Sequence, residues 1–338
     1  MRSLAVVVPR TDGERTRRRL RELGLLRTDL AVGHVGERLA FPVHAGPTET
    51  WANATVEEQE FEEMVETSPA SYAELALVPE EVRTALPRAF DVVGDVVLVR
   101  LDADQARWGS AIGAALRAFV PGARLVAWDR GVHGEHRVRT LVPLAGEGGF
   151  RTVHRENGLA FQIDLQRAYF SPRLGREHAR VAAAGRPGEE VLDLCCGIGP
   201  FGLTLLRSAK SRRATFVDVN PDAIALVEEN ARRLGVADRV RALAVDLERF
   251  LADAPVAERV VFNLPHGGIK YVAQVSNAVA RGGTLHYYEI MERSAVAARL
   301  AALPASFAGP WSLREHHIVH PYSPSSDLVA VTLDRLGE

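Results

Sequence analysis

The chain has 338 residues, 47% hydrophobic and 25% charged, with a formal net charge of −2. That balance belongs to a folded globular protein and excludes a disordered, collagenous or coiled-coil chain, and the length suffices for two or three domains with their own cores. The only cysteines, Cys195 and Cys196, are adjacent and cannot build a disulfide framework or a cysteine-rich metal site, so a reducing cytoplasm and no metal are expected.

No stretch approaches the roughly 20 apolar residues of a membrane span, and the apolar run at the N-terminus precedes its arginines, the reverse of a signal peptide. LAVVVP (4–9) reads as a strand closed by Pro9, followed by a helix capped by Asp12 and stopped by Gly24. Arg15, Arg17, Arg18, Arg19 and Arg21 cover much of that helix, either as a solvated face or as a grip on phosphates. ERLAFPV (37–43) closes this small first domain, residues 1–45.

Residues 46–84, rich in Gly, Pro, Thr, Ser and acidic side chains, read as a linker holding one short helix. Residues 85–180 read as a middle α+β domain, with a strand in 91–102, a helix in 108–122, a strand in 123–129 and short antiparallel strands over 136–165. From residue 181 strands and helices alternate regularly up to a closing strand near SDLVAVTLD (326–334). A mostly parallel, Rossmann-like sheet with helices on both faces is expected over 181–338.

VLDLCCGIGPFG (191–202) places Gly197, Gly199 and Gly202 as G-x-G-x-x-G between a strand and a helix, a turn that lets a ligand approach the backbone. Asp193, four residues before the first of these glycines, can orient the loop and face a cationic amino group. Asp218 ends the second strand, where a carboxylate takes ribose hydroxyls, and Asp246 ends the third, facing an adenine amino group. Asn263-Leu264-Pro265 ends the fourth and can present amide and carbonyl oxygens to the N–H groups of a flat heteroaromatic acceptor. Singly, these residues also read as helix caps or a turn. Together, at consecutive strand ends, they favour S-adenosylmethionine over a nicotinamide dinucleotide.

YFSPRLGREHARVA (169–182), with LDLCCGIGPFG, DVNPDA and FNLPHGG, resembles the archaeal and eukaryotic Trm5-type tRNA (guanine-37, N1) methyltransferases. The likeness covers nearly the whole chain: VVVPRTDGERTRRRLRELGLL is similar to that family's first domain, and LPRAFDVVGDVVLVRL and GEHRVRTLVPLAGEGGFRTVHRENG to its middle domain. The resemblance implies an α/β protein with a C-terminal Rossmann-like class I S-adenosylmethionine-dependent methyltransferase domain and two smaller N-terminal α/β RNA-binding domains. It further implies a protein that binds tRNA at the elbow and anticodon loop and methylates N1 of the guanine 3′ to the anticodon; a monomer is expected because all three units lie in one chain.

By the same resemblance Glu177 would be the general base, Arg137 or Arg139 would stabilise charge on O6, Asn263 would hold the guanine edge, and Tyr169 would pack near base or cofactor. Asp193, Gly197, Gly199, Asp218, Asp246, Asn263 and Pro265 would form the cofactor site. Read without the family, Glu177 is rather a partner for Arg173 or Arg180 on one helix face than a base. The same scaffold also suits a wyosine-type modified base or a small-molecule acceptor; the aminocarboxypropyl-transferring relative carries a Gly-Asn pair absent here. The histidines, including His266 and the His316-His317 pair, have no evident carboxylate partner and read as structural or surface residues. Cys195-Cys196 replaces an aromatic-small pair, Asp218 a common glutamate, and HPYSPSSDLVAV lacks an expected aromatic-His step.

Overall fold

A computed structural model describes residues 1–337 except 48–50, 52, 64–68, 135 and 210. The chain divides into two units, Met1–Ser71 and Tyr72–Glu338.

The first unit contains β1 (Arg2–Pro9), α1 (Gly13–Glu22), β2 (Gly33–Val35), β3 (Arg38–Val43) and β4 (Thr55–Glu60), with sheet order β2-β3-β1-β4 and every pairing antiparallel. The apolar run of β1 is buried on both faces, as its continuous hydrophobicity requires. Ala5 and Val7 pack with Leu30, Ala40 and Phe61, while Val6 and Val8 pack with Leu20 of α1, Phe41 and Val43. Helix α1 buries Gly13, Thr16 and Leu20, so its five arginines are exposed. Asp12 stands at its N-terminal cap position but makes no side-chain capping bond.

The 46–84 linker expected from composition is not one. Residues Thr55–Glu60 form β4, an edge strand paired along β1. Its side chains are nearly all exposed, so its charge hides a strand that backbone pairing alone defines, and charge of this kind guards an edge against further pairing. Beyond it, α2 (Tyr72–Leu75) and α3 (Glu80–Ala85) belong to the second unit: Tyr72, Ala76, Val78 and Leu86 are core residues, and the Tyr72 hydroxyl donates to Pro87 O at 2.6 Å.

After these helices the second unit continues with β5 (Phe90–Val93), β6 (Val96–Val99), α4 (Ala103–Ala106), α5 (Gly109–Phe119), β7 (Leu125–His133) and β8 (Val138–Gly146), whose strands form one sheet in the order β5-β6-β7-β8. Ile112, Ala115 and Leu116 of α5 cover Val97, Val99 and Val126. The hairpin of β9 (Arg151–Glu156) and β10 (Leu159–Asp164) follows, then α6 (Gly175–Ala183). Helix α6 spans the boundary expected at 180/181. Its Val181 and Ala182 join one core with Phe161 and Ile163 of β10, Val93 and Val96 of the first sheet, and Phe201 and Leu203 beyond, so no break in packing falls there.

The remaining elements are β11 (Glu190–Leu194), α7 (Pro200–Thr204), β12 (Arg213–Asp218), α8 (Pro221–Arg233), β13 (Val240–Ala244), α9 (Leu247–Leu251), β14 (Ala257–Phe262), α10 (Val272–Asn277), β15 (Val279–Glu292), α11 (Val296–Ala302), β16 (Trp311–Pro321) and β17 (Ser326–Arg335). They build a seven-stranded sheet in the order β13-β12-β11-β14-β15-β17-β16. The first five strands pair in parallel, and β17 pairs antiparallel with both β15 and β16. The order reverses beside β11, which opens the crevice where such sheets bind ligands. Strand β16 was not anticipated: WSLREHHIVHP carries mostly polar side chains and lies at the sheet edge, where alternation is weak. Among the described residues no helix is long and apolar enough to cross a membrane.

Candidate active site

A cavity of about 260 Å³ opens at the carboxyl ends of β11, β12, β13 and β14. On one side lies the glycine turn. Gly197 and Gly199 have φ of +55° and +77°, a left-handed backbone that disfavours any side chain. A Cβ at Gly202 would stand 2.4 Å from Phe216 Cε1, so only glycine lets α7 pack this closely on β12. Gly197 borders the cavity; Gly199 and Gly202 shape the turn behind it.

Asp218 and Asp246 both line the cavity. Asp218 Oδ2 accepts from Gly197 N at 2.8 Å and Oδ1 from Asn220 N at 2.9 Å, tying the glycine turn to the end of β12, and burial raises its carboxyl above the ordinary range. Asp246 caps α9, but its bonds from Glu248 N (2.9 Å) and Arg249 N (3.1 Å) both fall on Oδ1. Capping and cofactor contact are therefore compatible in one carboxylate, since four lone-pair sites are available.

Asp193 is fully buried and does not border the cavity. Oδ2 accepts from Gly202 N at 2.9 Å, which orients the turn as expected, while Oδ1 has no hydrogen-bond partner. Burial pushes the carboxyl up to about 8, against the lowering effect of the Gly202 bond. Between pH 4 and 8 the folded chain thus keeps a proton that an unfolded aspartate, with its pKa near 3.9, has released. Stability is fully present below the ordinary value and is lost as pH rises through about 8. Asp193→Asn keeps an acceptor for Gly202 and removes this titration, so melting temperature followed from pH 5 to about 9 falls less steeply in the variant. Parallel curves would contradict the assignment.

On the other side the cavity is lined by Arg137, Tyr169, Asn263 and Pro265. Arg137 precedes β8 with φ +50° and lays its guanidinium 5.5 Å from the Tyr169 ring centre. Arg139, two residues on, is buried, bonds the Asp129 carboxylate and donates to Phe170 O at 3.3 Å. Of the two arginines left open by sequence, Arg137 borders the cavity and Arg139 does not.

Glu177 is also absent from the cavity wall, although Leu174 and His178 on either side of it in the chain are part of that wall. Only 5% exposed, its carboxylate accepts from Arg180 Nε (3.1 Å) and Nη2 (3.0 Å) and from the Tyr288 hydroxyl (3.0 Å). His317 Nε2 lies 2.5 Å from Oε1. Burial would raise this carboxyl, but the Arg180 and His317 bonds outweigh it and hold it below the ordinary range. The helical pairing with Arg180 is formed; Arg173 instead donates to Asp91 at 2.9 Å.

Several neighbours were not read from sequence. His317, taken for a residue without an acidic partner, meets Glu177 across 140 positions because β16 folds back beside α6, a contact with no local signal. His178 Nδ1 lies 2.6 Å from Glu156 Oε1 and His154 Nε2 3.6 Å from Oε2, and the two imidazoles outweigh burial to leave Glu156 at about 2. Phe201 stands between the His178 and Tyr288 rings at 4.5 and 5.5 Å.

Family models match three consecutive stretches: a tRNA methyltransferase 5 N-terminal domain at residues 5–50, a TYW2 N-terminal domain at 75–149 and a TRM5/TYW2 methyltransferase domain at 152–303. The tRNA (guanine(37)-N(1))-methyltransferase Trm5b of Pyrococcus abyssi is 34% identical over 287 residues, 85% of this chain and 84% of that protein. The enzyme of the same name from Methanocaldococcus jannaschii is 29% identical over 97% of both. The crystal structure of Pyrococcus abyssi Trm5b superposes with a TM-score of 0.77 at 30% identity, covering 99% of this chain and all of that one. A complex of a Trm5 enzyme with tRNALeu gives 0.72 at 27% identity, with coverage of 99% and 100%. The matched domain order, the relatives aligned along most of their length and the shared fold show that the chain belongs to the TRM5/TYW2 methyltransferase family, in its Trm5 group.

Proposed function

We propose that this protein transfers a methyl group from S-adenosylmethionine to N1 of guanine 37 in tRNA. One observation carries the reading: a single cavity brings the cofactor-type residues Gly197, Asp218 and Asp246 together with Arg137, Tyr169 and Asn263. The Trm5 relatives named for this reaction, and the one solved with tRNA, support it.

S-adenosylmethionine supplies an electrophilic methyl on a sulfonium sulfur. The residues fit that group: Asp218 keeps lone pairs for ribose hydroxyls, Asp246 keeps Oδ2 for the adenine amine, and the Gly197 turn admits close approach. On the acceptor side Asn263 holds the guanine edge, Tyr169 packs against the base and Arg137 draws charge onto O6 as N1 loses its proton. Much of the rate then comes from holding N1 in line with the methyl group.

Glu177 takes the N1 proton. To do so it turns out of its bonds to Arg180, Tyr288 and His317 toward the wall formed by Leu174 and His178. That movement strengthens it as a base, because the bonds that depress its carboxyl are released while burial, which raises it, persists. The exposed arginines of α1 grip phosphates at the tRNA elbow, and residues 72–338 enclose the anticodon loop with the target base turned out of its stack.

Arg137→Met lowers single-turnover methyl transfer by about 10²–10³-fold with S-adenosylmethionine affinity unchanged, the usual effect of removing one charge-stabilising donor. Arg139→Met takes the buried cation from Asp129, leaving it the Gly131 N–H and the exposed Arg100, and lowers the melting temperature instead. A wild-type rate in Arg137→Met would remove Arg137 from the O6 role. The reading as a whole is tested with methyl-labelled S-adenosylmethionine and unmodified tRNA transcripts carrying guanine or adenine at position 37. Label enters only the guanine transcript; label in both, or in neither, would contradict it.

A further inference from the structure

We propose that His317 is the exit for the proton that each methylation releases, acting through Glu177 as a relay to solvent. The inference rests on the reading of Glu177 as base. Methylation replaces the N1–H bond by N1–CH₃: the N–H electron pair forms the new bond, the sulfur–carbon pair stays on sulfur, and one proton is left on Glu177. That proton must leave before another turnover, yet the Glu177 carboxylate is almost sealed from water.

The partners of Glu177 decide the route. Arg180 is a guanidinium, which does not release its proton in proteins. The Tyr288 phenol is completely buried, and burial holds its proton tightly. His317 is the remaining partner: Nε2 lies 2.5 Å from Oε1, the side chain is 36% exposed, and its two ring nitrogens let it take a proton at one atom and give one up at the other. While Glu177 is turned toward the cavity, the part-exposed ring trades its Nε2 proton to water for one on Nδ1. The bare Nε2 then takes the proton from the returning Glu177, and the ring releases the Nδ1 proton to water, which restores the Nε2–H that donates to the carboxylate. The resting bonds favour this discharge, since a carboxyl held below its ordinary range is acidic.

The surroundings keep the pair poised. On β16, Glu315 accepts from Arg180 Nη1 at 2.7 Å and so shares that cation with Glu177. On β17, Thr332 donates to Glu315 at 3.2 Å and meets His286 of β15, which burial and Arg259 keep neutral. On α6, His178 is engaged with Glu156. Bulges in β16 between Leu313 and Glu315 and between Ile318 and His320 flank His317, and bulges of this kind re-aim side chains.

The test uses the full chain and an unmodified guanine-37 transcript, comparing the first turnover with steady-state turnover for His317→Gln, His317→Ala and Glu177→Gln between pH 6 and about 9. The Gln variant keeps a hydrogen-bond donor for Glu177 and guards against misfolding. Both His317 variants lose steady-state rate roughly a hundredfold, more than they lose in the first turnover, and added imidazole recovers the rate of His317→Ala. Equal losses in both phases without imidazole rescue would assign His317 a purely structural role, and wild-type steady-state rates would remove the relay; either overturns the proposal. Glu177→Gln separates the two readings. Full activity in that variant overturns the base and the relay together, whereas an inactive Glu177→Gln beside a fully active His317→Ala overturns the relay alone.

Discussion

Glu177→Gln lowers the first-turnover rate of methyl transfer by about 10²–10⁴-fold while S-adenosylmethionine binding stays at the wild-type level, the range expected when a general base is removed. Glutamine matches the shape of glutamate and still accepts from Arg180 and the Tyr288 hydroxyl, so the fold around α6 persists. What it lacks is the ability to take a proton from N1, which stays protonated at neutral pH and cannot attack. The folded pKa of Glu177 is depressed, so its ion pairs contribute stability above the ordinary carboxylate range, and that stability is lost as pH falls through the folded value. The variant therefore also flattens the acid side of the wild-type stability profile. Single-turnover kinetics with an isothermal measurement of cofactor affinity checks the main effect, and a wild-type rate would exclude the base role.

The largest expected effect on stability belongs to Arg259→Met, at about 3–5 kcal/mol, the usual loss when one partner of a buried ion pair is removed. Arg259 on β14 is fully buried; Nε donates to Glu189 Oε2 at 2.8 Å, Nη2 to Glu189 Oε1 at 3.1 Å and to Ala184 O at 2.7 Å, and Nη1 to His286 Nε2 at 2.6 Å. One side chain thus fastens the end of α6, the entry to β11 and the middle of β15. His286 is neutral there, so Nε2 accepts from Arg259 and Nδ1 carries the hydrogen facing Thr332 Oγ1 at 3.3 Å. Methionine fills the space but leaves the buried Glu189 carboxylate with only the exposed Arg186, 3.4 Å away, in place of its buried cation. Adding Glu189→Leu recovers much of the loss, because a hydrophobic pair of similar volume substitutes well for a buried ion pair. Denaturant unfolding of the two variants measures both effects; a loss under about 1 kcal/mol in Arg259→Met would mean that the pair is not essential.

The parts of the fold legible in the sequence are those with local causes. The parallel strands β11 to β15 follow from alternating apolar strands and amphipathic helices, and the glycine turn follows from a motif whose spacing is its geometry. Asp218, Asp246 and Asn263, which line the cavity, were recognisable as candidates because each stands at or just after a strand end, and in a parallel sheet those ends meet along one edge. Asp193 shares that pattern, yet its side chain turns into the protein to hold Gly202, a direction the strand position alone does not set.

What stayed hidden depends on distant partners. Strand β4 shows no apolar face and exists through its pairing with β1. Arg137 and Arg139 are equivalent in the sequence, and Asp129 on β7 decides which is consumed by an ion pair and which remains at the cavity. His317 meets Glu177 only because an edge strand at the end of the chain returns beside α6.

The most direct test of the central claim is to digest tRNA methylated by the purified protein and identify the modified nucleoside and its position by mass spectrometry. Arg137 and Asn263 on the cavity wall, with Glu177 buried behind Leu174 and His178 of that wall, predict N1-methylguanosine at position 37. Methyl on another guanine atom, at another position, or only on tRNA already carrying a tricyclic base at position 37 would contradict it.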